Sequence, residues 1–181
     1  MTRCRLVGLV LACGIVFTCV SAEAQEPRQD RRFGLTVGYP SSGGLIGLVW
    51  QTSDRMAFRP EFSLSSRFGG DNTSGNATSV GLNLTVLRYV ARKDSAGVYL
   101  GPRISYSRAT QSSGTYEAKN SAYGVGATVG LQYELTRRIC VYGEVGVVYA
   151  YLRTTSAPTT HPTVTSNQIS SRSSVGLNLF F

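Results

Sequence analysis

Between Tyr123 and Leu135 the chain alternates without a break. Tyr123, Val125, Ala127, Val129, Leu131, Tyr133 and Leu135 hold one parity, and Gly124, Gly126, Thr128, Gly130, Gln132 and Glu134 hold the other. Side chains of a strand point alternately to its two faces, so this stretch has one greasy face and one small, polar face. The same split recurs where Val80, Leu82, Leu84 and Val86 oppose Gly81, Asn83 and Thr85, and where Val98, Leu100, Ile104 and Tyr106 oppose Gly97, Gly101, Arg103, Ser105 and Ser107. Phe58, Phe62 and Leu64 oppose Arg59, Glu61, Ser63 and Ser65, while Phe33, Leu35, Val37 and Tyr39 oppose Gly34, Thr36 and Gly38. Residues 45 to 52 and 139 to 152 read as weaker strands, because Val49, Tyr142 and Val148 put apolar groups on the polar parity; residues 170 to 181 make an eighth. Pro60 and Pro102 fall inside proposed strands and each removes a ladder donor, so a bulge or local irregularity is expected at both.

The connections carry independent information. Those at Thr52 to Arg55, Ala91 to Ala96 and Thr136 to Arg138 are short, whereas those near 67 to 77, 110 to 120 and 153 to 168 are long and rich in Ser, Thr, Gly and Asn. Short and long alternate in order, with Pro40 to Gly44 a tight exception on the long side. Strict up-and-down winding with unequal ends is the layout of a membrane-spanning barrel. A soluble ligand-binding barrel of similar strand number would be apolar inside. Here the parity with charges and glycines suits a narrow lumen, and the bulky apolar parity suits lipid. Aromatic residues agree: Phe33, Trp50, Phe58, Tyr133 and Phe181 share the short-turn end, and Tyr39, Tyr106, Tyr123, Tyr149 and Tyr151 the long-loop end, all on the apolar parity. Such residues favour the two membrane interfaces. The expected fold is therefore all-β, a closed antiparallel up-and-down transmembrane β-barrel of about eight strands, formed by residues 33–181.

The first 24 residues differ in kind: Arg3 and Arg5 make a basic start, an uncharged, mostly apolar run extends from Leu6 to Val20, and Ser21, Ala22, Glu23 and Ala24 form a small-x-small site. This is the order of a secretory signal peptide, with Gln25 as the expected mature start and residues 25–32 as a polar tail. Cys13 and Cys19 raise a lipoprotein reading, but neither follows a leucine, small, small triplet. Of four cysteines only Cys140 would remain, which excludes an intramolecular disulfide. Removing Arg3, Arg5 and Glu23 from 18 basic and 10 acidic residues leaves 16 and 9, a net charge of +7. The basic residues form no aromatic-interleaved patch, so the charge points to a membrane surface and not to nucleic acid.

Ser174, Gly176, Leu179 and Phe181 fit a polar-x-Gly-x-x-apolar-x-apolar pattern ending on an aromatic residue. With this motif the chain resembles the small outer-membrane β-barrel proteins of the OmpA/OmpX type, often described as the outer membrane protein β-barrel domain. The resemblance covers residues 25–181. It implies residence in the outer membrane, outer-membrane lipid as surroundings, and recognition of Ser174, Gly176, Leu179 and Phe181 by the barrel assembly machinery. Nothing follows Phe181 in the sequence, so the peptidoglycan-binding domain of full-length OmpA proteins is not expected.

Sorting charges by this topology assigns Arg28, Arg31, Arg32, Arg55, Arg88, Arg92, Lys93, Arg137 and Arg138 to the tail and short turns, against Glu26, Asp30, Asp54 and Asp94. That excess suits lipid phosphates of the inner leaflet or simple solvation. The lumen receives Arg59, Arg103 and Arg172 against Glu61, Glu134 and Glu144, a balanced set expected to pair as a structural plug. In the resembled family such networks can also gate a narrow conduit. His161, the only histidine, falls in a long polar loop and is followed by Pro162, Thr163 and Val164, so the His-x-Ser-Asn motif of lipid A-modifying barrels is absent. No catalytic, cofactor or metal site is expected. The expected role is structural, adhesive or recognitive, carried by extracellular loops whose ligand is not encoded legibly; a narrow channel for small solutes is the second reading, a lipid A-modifying enzyme a distant third.

Deleting Phe181 should cut the folded protein recovered in outer-membrane fractions severalfold, while His161→Ala should leave it unchanged. Heat-dependent gel mobility of those fractions measures both. Equal insertion with and without Phe181 would count heavily against the family resemblance.

Overall fold

The alternation becomes eight strands wound antiparallel into a ring. A computed structural model describes residues 33–40, 44–67, 76–113, 116–157 and 163–181; the expected signal peptide, the polar tail and His161 lie outside the described residues. The strands are β1 (Phe33–Pro40), β2 (Leu45–Ser53), β3 (Met56–Arg67), β4 (Asn76–Lys93), β5 (Ala96–Ser113), β6 (Tyr116–Glu134), β7 (Ile139–Ala157) and β8 (Val164–Phe180). Each pairs with its sequence neighbours, and β1 closes on β8 from Gly34↔Phe180 to Pro40↔Ser174.

The connections expected near 110–120 and 153–168 are largely strand, because β5 runs to Ser113, β6 starts at Tyr116, β7 runs to Ala157 and β8 starts at Val164. Local chemistry sets three tight connections at the other end. Asp94 takes a left-handed backbone (φ 50°), so Asp94 and Ser95 alone join β4 to β5; aspartate tolerates this conformation better than most residues. After β6, the Thr136 hydroxyl accepts hydrogen bonds from the Arg138 and Ile139 amides at 3.2 and 3.1 Å. Before β3, the Thr52 hydroxyl donates to the Met56 carbonyl at 3.2 Å. Because β4 runs on to Lys93, Arg88, Arg92 and Lys93 belong to a strand and not to a turn as expected. Arg88 follows the outward parity of Leu82, Leu84 and Val86, and Arg92 lies over the Tyr89 ring at 3.7 Å.

At the two prolines the structure shows the local irregularity expected and not a bulge. On either side of Pro60 the β2–β3 register is unchanged, from Gly47↔Glu61 to Trp50↔Phe58, but the two intervening pairs are lost. Around Pro102 the β4–β5 ladder likewise skips from Thr85↔Arg103 to Arg88↔Leu100 without shifting. In an antiparallel strand a residue's N–H and C=O point to the same neighbour. Each proline therefore opens a gap toward one partner strand, while β3–β4 and β5–β6 run through intact. The register shifts lie elsewhere, between Gln51 and Ser53 and between Tyr89 and Ala91.

Outside, the apolar parity is exposed. Phe33, Trp50 and Phe58 form a ladder across β1, β2 and β3 at the short-turn end, with ring centroids 5.8 and 6.0 Å apart. Tyr106 meets Tyr123 at 5.1 Å at the long-loop end, and Tyr151 lies opposite Tyr123 in register. On β6 the apolar face runs from Tyr123 to Tyr133, which at ~3.4 Å per residue and a tilt near 45° spans about 25 Å along the barrel axis, the height of a lipid-facing band.

Thr128 faces inward but is almost fully buried, and its hydroxyl donates to the Val145 carbonyl at 3.0 Å, so it leaves no room for a longer side chain. Ser107 is inward, exposed and lines a polar cavity. Val129→Arg, on the lipid face between the two tyrosines, should cost about 2–4 kcal/mol, and Ser107→Arg under about 1 kcal/mol. Reversible urea unfolding from lipid vesicles reads both; equal costs would mean that the two faces are wrongly assigned.

Candidate functional site

The barrel interior has three levels. At the short-turn end Val49, Ala57, Leu87, Tyr89, Tyr99, Cys140 and Phe180 form one buried cluster. Tyr89 and Tyr99 meet edge to face at 5.8 Å. The Tyr89 hydroxyl donates to Gln132 Oε1 at 2.9 Å, and Asn178 Nδ2 donates to the same oxygen at 3.5 Å. Two lumen glycines make the space. A Cβ on Gly130 would clash with the hydroxyl end of the Tyr99 ring, and one on Gly176 would lie 2.6 Å from Tyr142. This plug was not anticipated from sequence, although Leu87, Tyr89 and Tyr99 follow the parity of Thr85 and Gly97 and Val49 had already broken the polar pattern. An apolar residue on a lumen parity is the signal that finds it.

Above the plug, four charged side chains from three non-adjacent strands converge. Arg59 is wholly buried and pairs with Glu144 through Nη2 and with Glu61 through Nε at 3.1 Å. Arg103 Nη2 reaches Glu61 Oε2 at 2.8 Å, while its Nη1 lies 3.7 Å from Glu144 Oε1 and donates to the Thr85 hydroxyl at 3.4 Å. The Tyr99 hydroxyl donates to Glu144 Oε2 at 3.1 Å. Tyr142, whose ring centroid lies 4.6 Å from the Arg59 guanidinium carbon, supplies a π face to the buried cation. Charges taken from water persist only when paired and hydrogen-bonded, and these carboxylates share two guanidiniums.

The expected six-member set does not assemble whole. Glu134 has the right parity but sits at the short-turn end of β6, level with Cys140 in register and below the cluster. Arg172 lies above it, at the wall of a cavity of about 450 Å³ lined by Arg103, Asn83 and serines of β3, β4, β5 and β8. The middle of the barrel thus holds Arg59, Arg103 and Arg172 against Glu61 and Glu144. The expected balance of three against three is replaced by an excess of one positive charge. Parity reports which face a side chain takes and says nothing of its height along the axis.

The terminal motif is divided between faces. Ser174 is buried and inward, Gly176 makes room for Tyr142, and Leu179 and Phe181 face out, with the Phe181 amide donating to the Phe33 carbonyl at 3.1 Å.

Neither a protein-family profile nor a curated protein sequence matches the chain. Solved structures do. The outer membrane protein AlkL, solved in DMPC bilayers, aligns with TM-score 0.55 at 11% identity over 91% of this chain and 96% of its own. Neisserial surface protein A (NspA) aligns with TM-score 0.53 at 16% identity over 82% and 94%. Ail, the attachment invasion locus protein of Yersinia pestis, aligns with TM-score 0.52 at 11% identity over 84% and 100%. The fold is that of the small outer-membrane β-barrels. Aromatic belts on the outer face and ion pairs inside are the arrangement this fold takes in a bilayer.

Arg59→Met leaves two buried carboxylates to the single cation Arg103 and should cost this outer-membrane barrel about 3–5 kcal/mol. Combining it with Glu144→Gln should cost less than the two single changes together. A double-mutant cycle by urea unfolding from vesicles measures the coupling. Costs that simply add would show that the cluster does not act as a unit.

Proposed function

We propose that this barrel is a surface-exposed structural or recognition protein that presents an interaction platform outside the cell and does not conduct solutes. The observation that carries this reading is the length of the strands. About 9–11 residues span the hydrocarbon core, yet β4 to β8 contain 17 to 19 residues each, whereas β1 has only 8. Beyond the tyrosine belt the long strands continue as a polar wall carrying Thr78, Thr110, Gln111, Asn120, Thr155 and Asn167. Six or seven further residues raise this wall roughly 15–20 Å.

Because β1 stops at Pro40, opposite Ser174, the Val164–Ser173 segment of β8 pairs only with β7 among the described residues. Among the described residues its other edge has no strand partner, and such an edge can accept a strand from a partner. The adjacent side chains Val164 and Ile169 are strongly exposed. Similar folds in proteins named for the cell surface and for attachment and invasion are compatible with this reading. Against a channel stands the plug, which fills the short-turn end of the lumen with Tyr89, Tyr99, Leu87 and Phe180.

Protease added to intact cells should cut the long connections and leave the short turns protected, and the refolded protein in planar bilayers should give no stable openings above the bare-membrane background. Stable single-channel steps would overturn the non-conducting reading in favour of a narrow solute channel. Cleavage confined to permeabilised cells would overturn the surface platform.

A further inference from the structure

The cavity above the ion cluster combines an apolar wall with serines and two guanidiniums, and one of these, Arg172, makes no ion pair with the cluster's carboxylates. Its wall includes Ser63, Ser65, Ser79, Ser105, Ser107 and Ser170, and it faces the long-loop end. A chamber of about 450 Å³ falls in the range that holds small solutes. Two guanidiniums line it. Arg103 is 4% exposed, and its Nε, like that of Arg172, is buried without a hydrogen-bond partner among the described residues.

These facts are linked. The two carboxylates of the cluster are engaged by Arg59 and Arg103, so neither makes an ion pair with Arg172. The acidic residue that would balance it by count, Glu134, lies at the opposite end of the lumen. A buried donor with no acceptor is costly, and a guanidinium meets that need best with an oxyanion. The surrounding hydroxyls and the Asn83 amide can both donate and accept, which suits a hydroxylated ligand body. Ser65 and Ser79 already bond one another at 2.8 Å, Oγ to Oγ, leaving each a further valence.

We propose that this chamber is a binding site for a small, soluble, hydroxyl-bearing oxyanion of the phosphate-monoester class. Arg172 is the principal anion ligand and Arg103 the second, with the serines contacting the hydroxylated body. The site takes Ser170 and Arg172 from the Val164–Ser173 stretch of β8 but uses their side chains and not its backbone edge, and it does not depend on the platform reading. Arg172 reaches it from the chamber wall and takes part in none of the ion pairs of the cluster, so it can be changed without breaking the Arg59–Glu144 and Arg103–Glu61 pairs.

The test is isothermal titration of the refolded full barrel in maltoside micelles, which contain no phosphate, at low ionic strength. Inorganic phosphate, glucose 6-phosphate and glucose are the three probes. Saturable binding of both phosphates, tighter for the sugar phosphate and absent for glucose, is expected. Arg172→Gln should weaken it at least about tenfold, as the loss of a charge-assisted contact implies, and Arg172→Lys should restore part of it. Arg153→Gln, on the exposed outer face, should leave binding unchanged. Heat-dependent gel mobility checks that each variant is folded. Binding that is absent in maltoside but appears with phosphate-bearing lipid would assign the arginines to a headgroup and overturn the soluble ligand. No saturable binding, or equal weakening by Arg172→Gln and Arg153→Gln, would overturn the site itself.

Discussion

Hydrocarbon offers no hydrogen-bonding partner, so a chain that crosses it as strands must satisfy every backbone group within a closed ladder. The seam between β1 and β8 is where this condition is met or fails. Seven paired positions, Gly34 to Pro40 against Phe180 to Ser174, turn a sheet into a ring. The same condition explains how Pro60 and Pro102 are accommodated. Each opens its ladder toward one neighbour only and leaves the register on both sides intact, so the breach stays local and no strand slips. A slip of one residue would exchange the lipid and lumen faces along an entire strand.

Closure at this strand number leaves a lumen that side chains must fill. The filling is graded. Aromatic and aliphatic groups pack the short-turn end, ion pairs occupy the middle, and serines line the chamber at the other end. The ion pairs connect strands that the backbone cannot. Arg59 and Glu61 lie on β3, Arg103 on β5 and Glu144 on β7, so the cluster braces the ring across its diameter. Burying such charges carries a desolvation cost that offsets much of their attraction. Their contribution is accordingly to hold one cross-section, with Tyr99 and Tyr142 fitted against Gly130 and Gly176.

The same grading gives the molecule a direction. Short turns, plug and a short β1 lie toward one side of the membrane, whereas the open chamber, the tall polar wall and the single-sided part of β8 lie toward the other. Interaction chemistry is concentrated where the strands outlast the bilayer.

Strand identity, winding, the two faces and the aromatic belts were legible in the sequence, because alternation is a local property and lipid demands it over the whole span. Tyr123 to Tyr133 on β6 needed no tertiary information to be read. Heights along the axis and contacts across the lumen were not legible. Glu134 and Glu144 share a parity, yet only Glu144 reaches Arg59, because the stagger between β3 and β7 sets which levels coincide. Leu87, Tyr89 and Tyr99 likewise took lumen positions that parity allowed but that a general expectation of a polar interior obscured. The sequence by itself determined that this chain would be a barrel with lipid outside and charge within. Only the closed ring, by bringing residues 85 positions apart into contact, decided which charges are paired and which one, Arg172, is left facing the chamber.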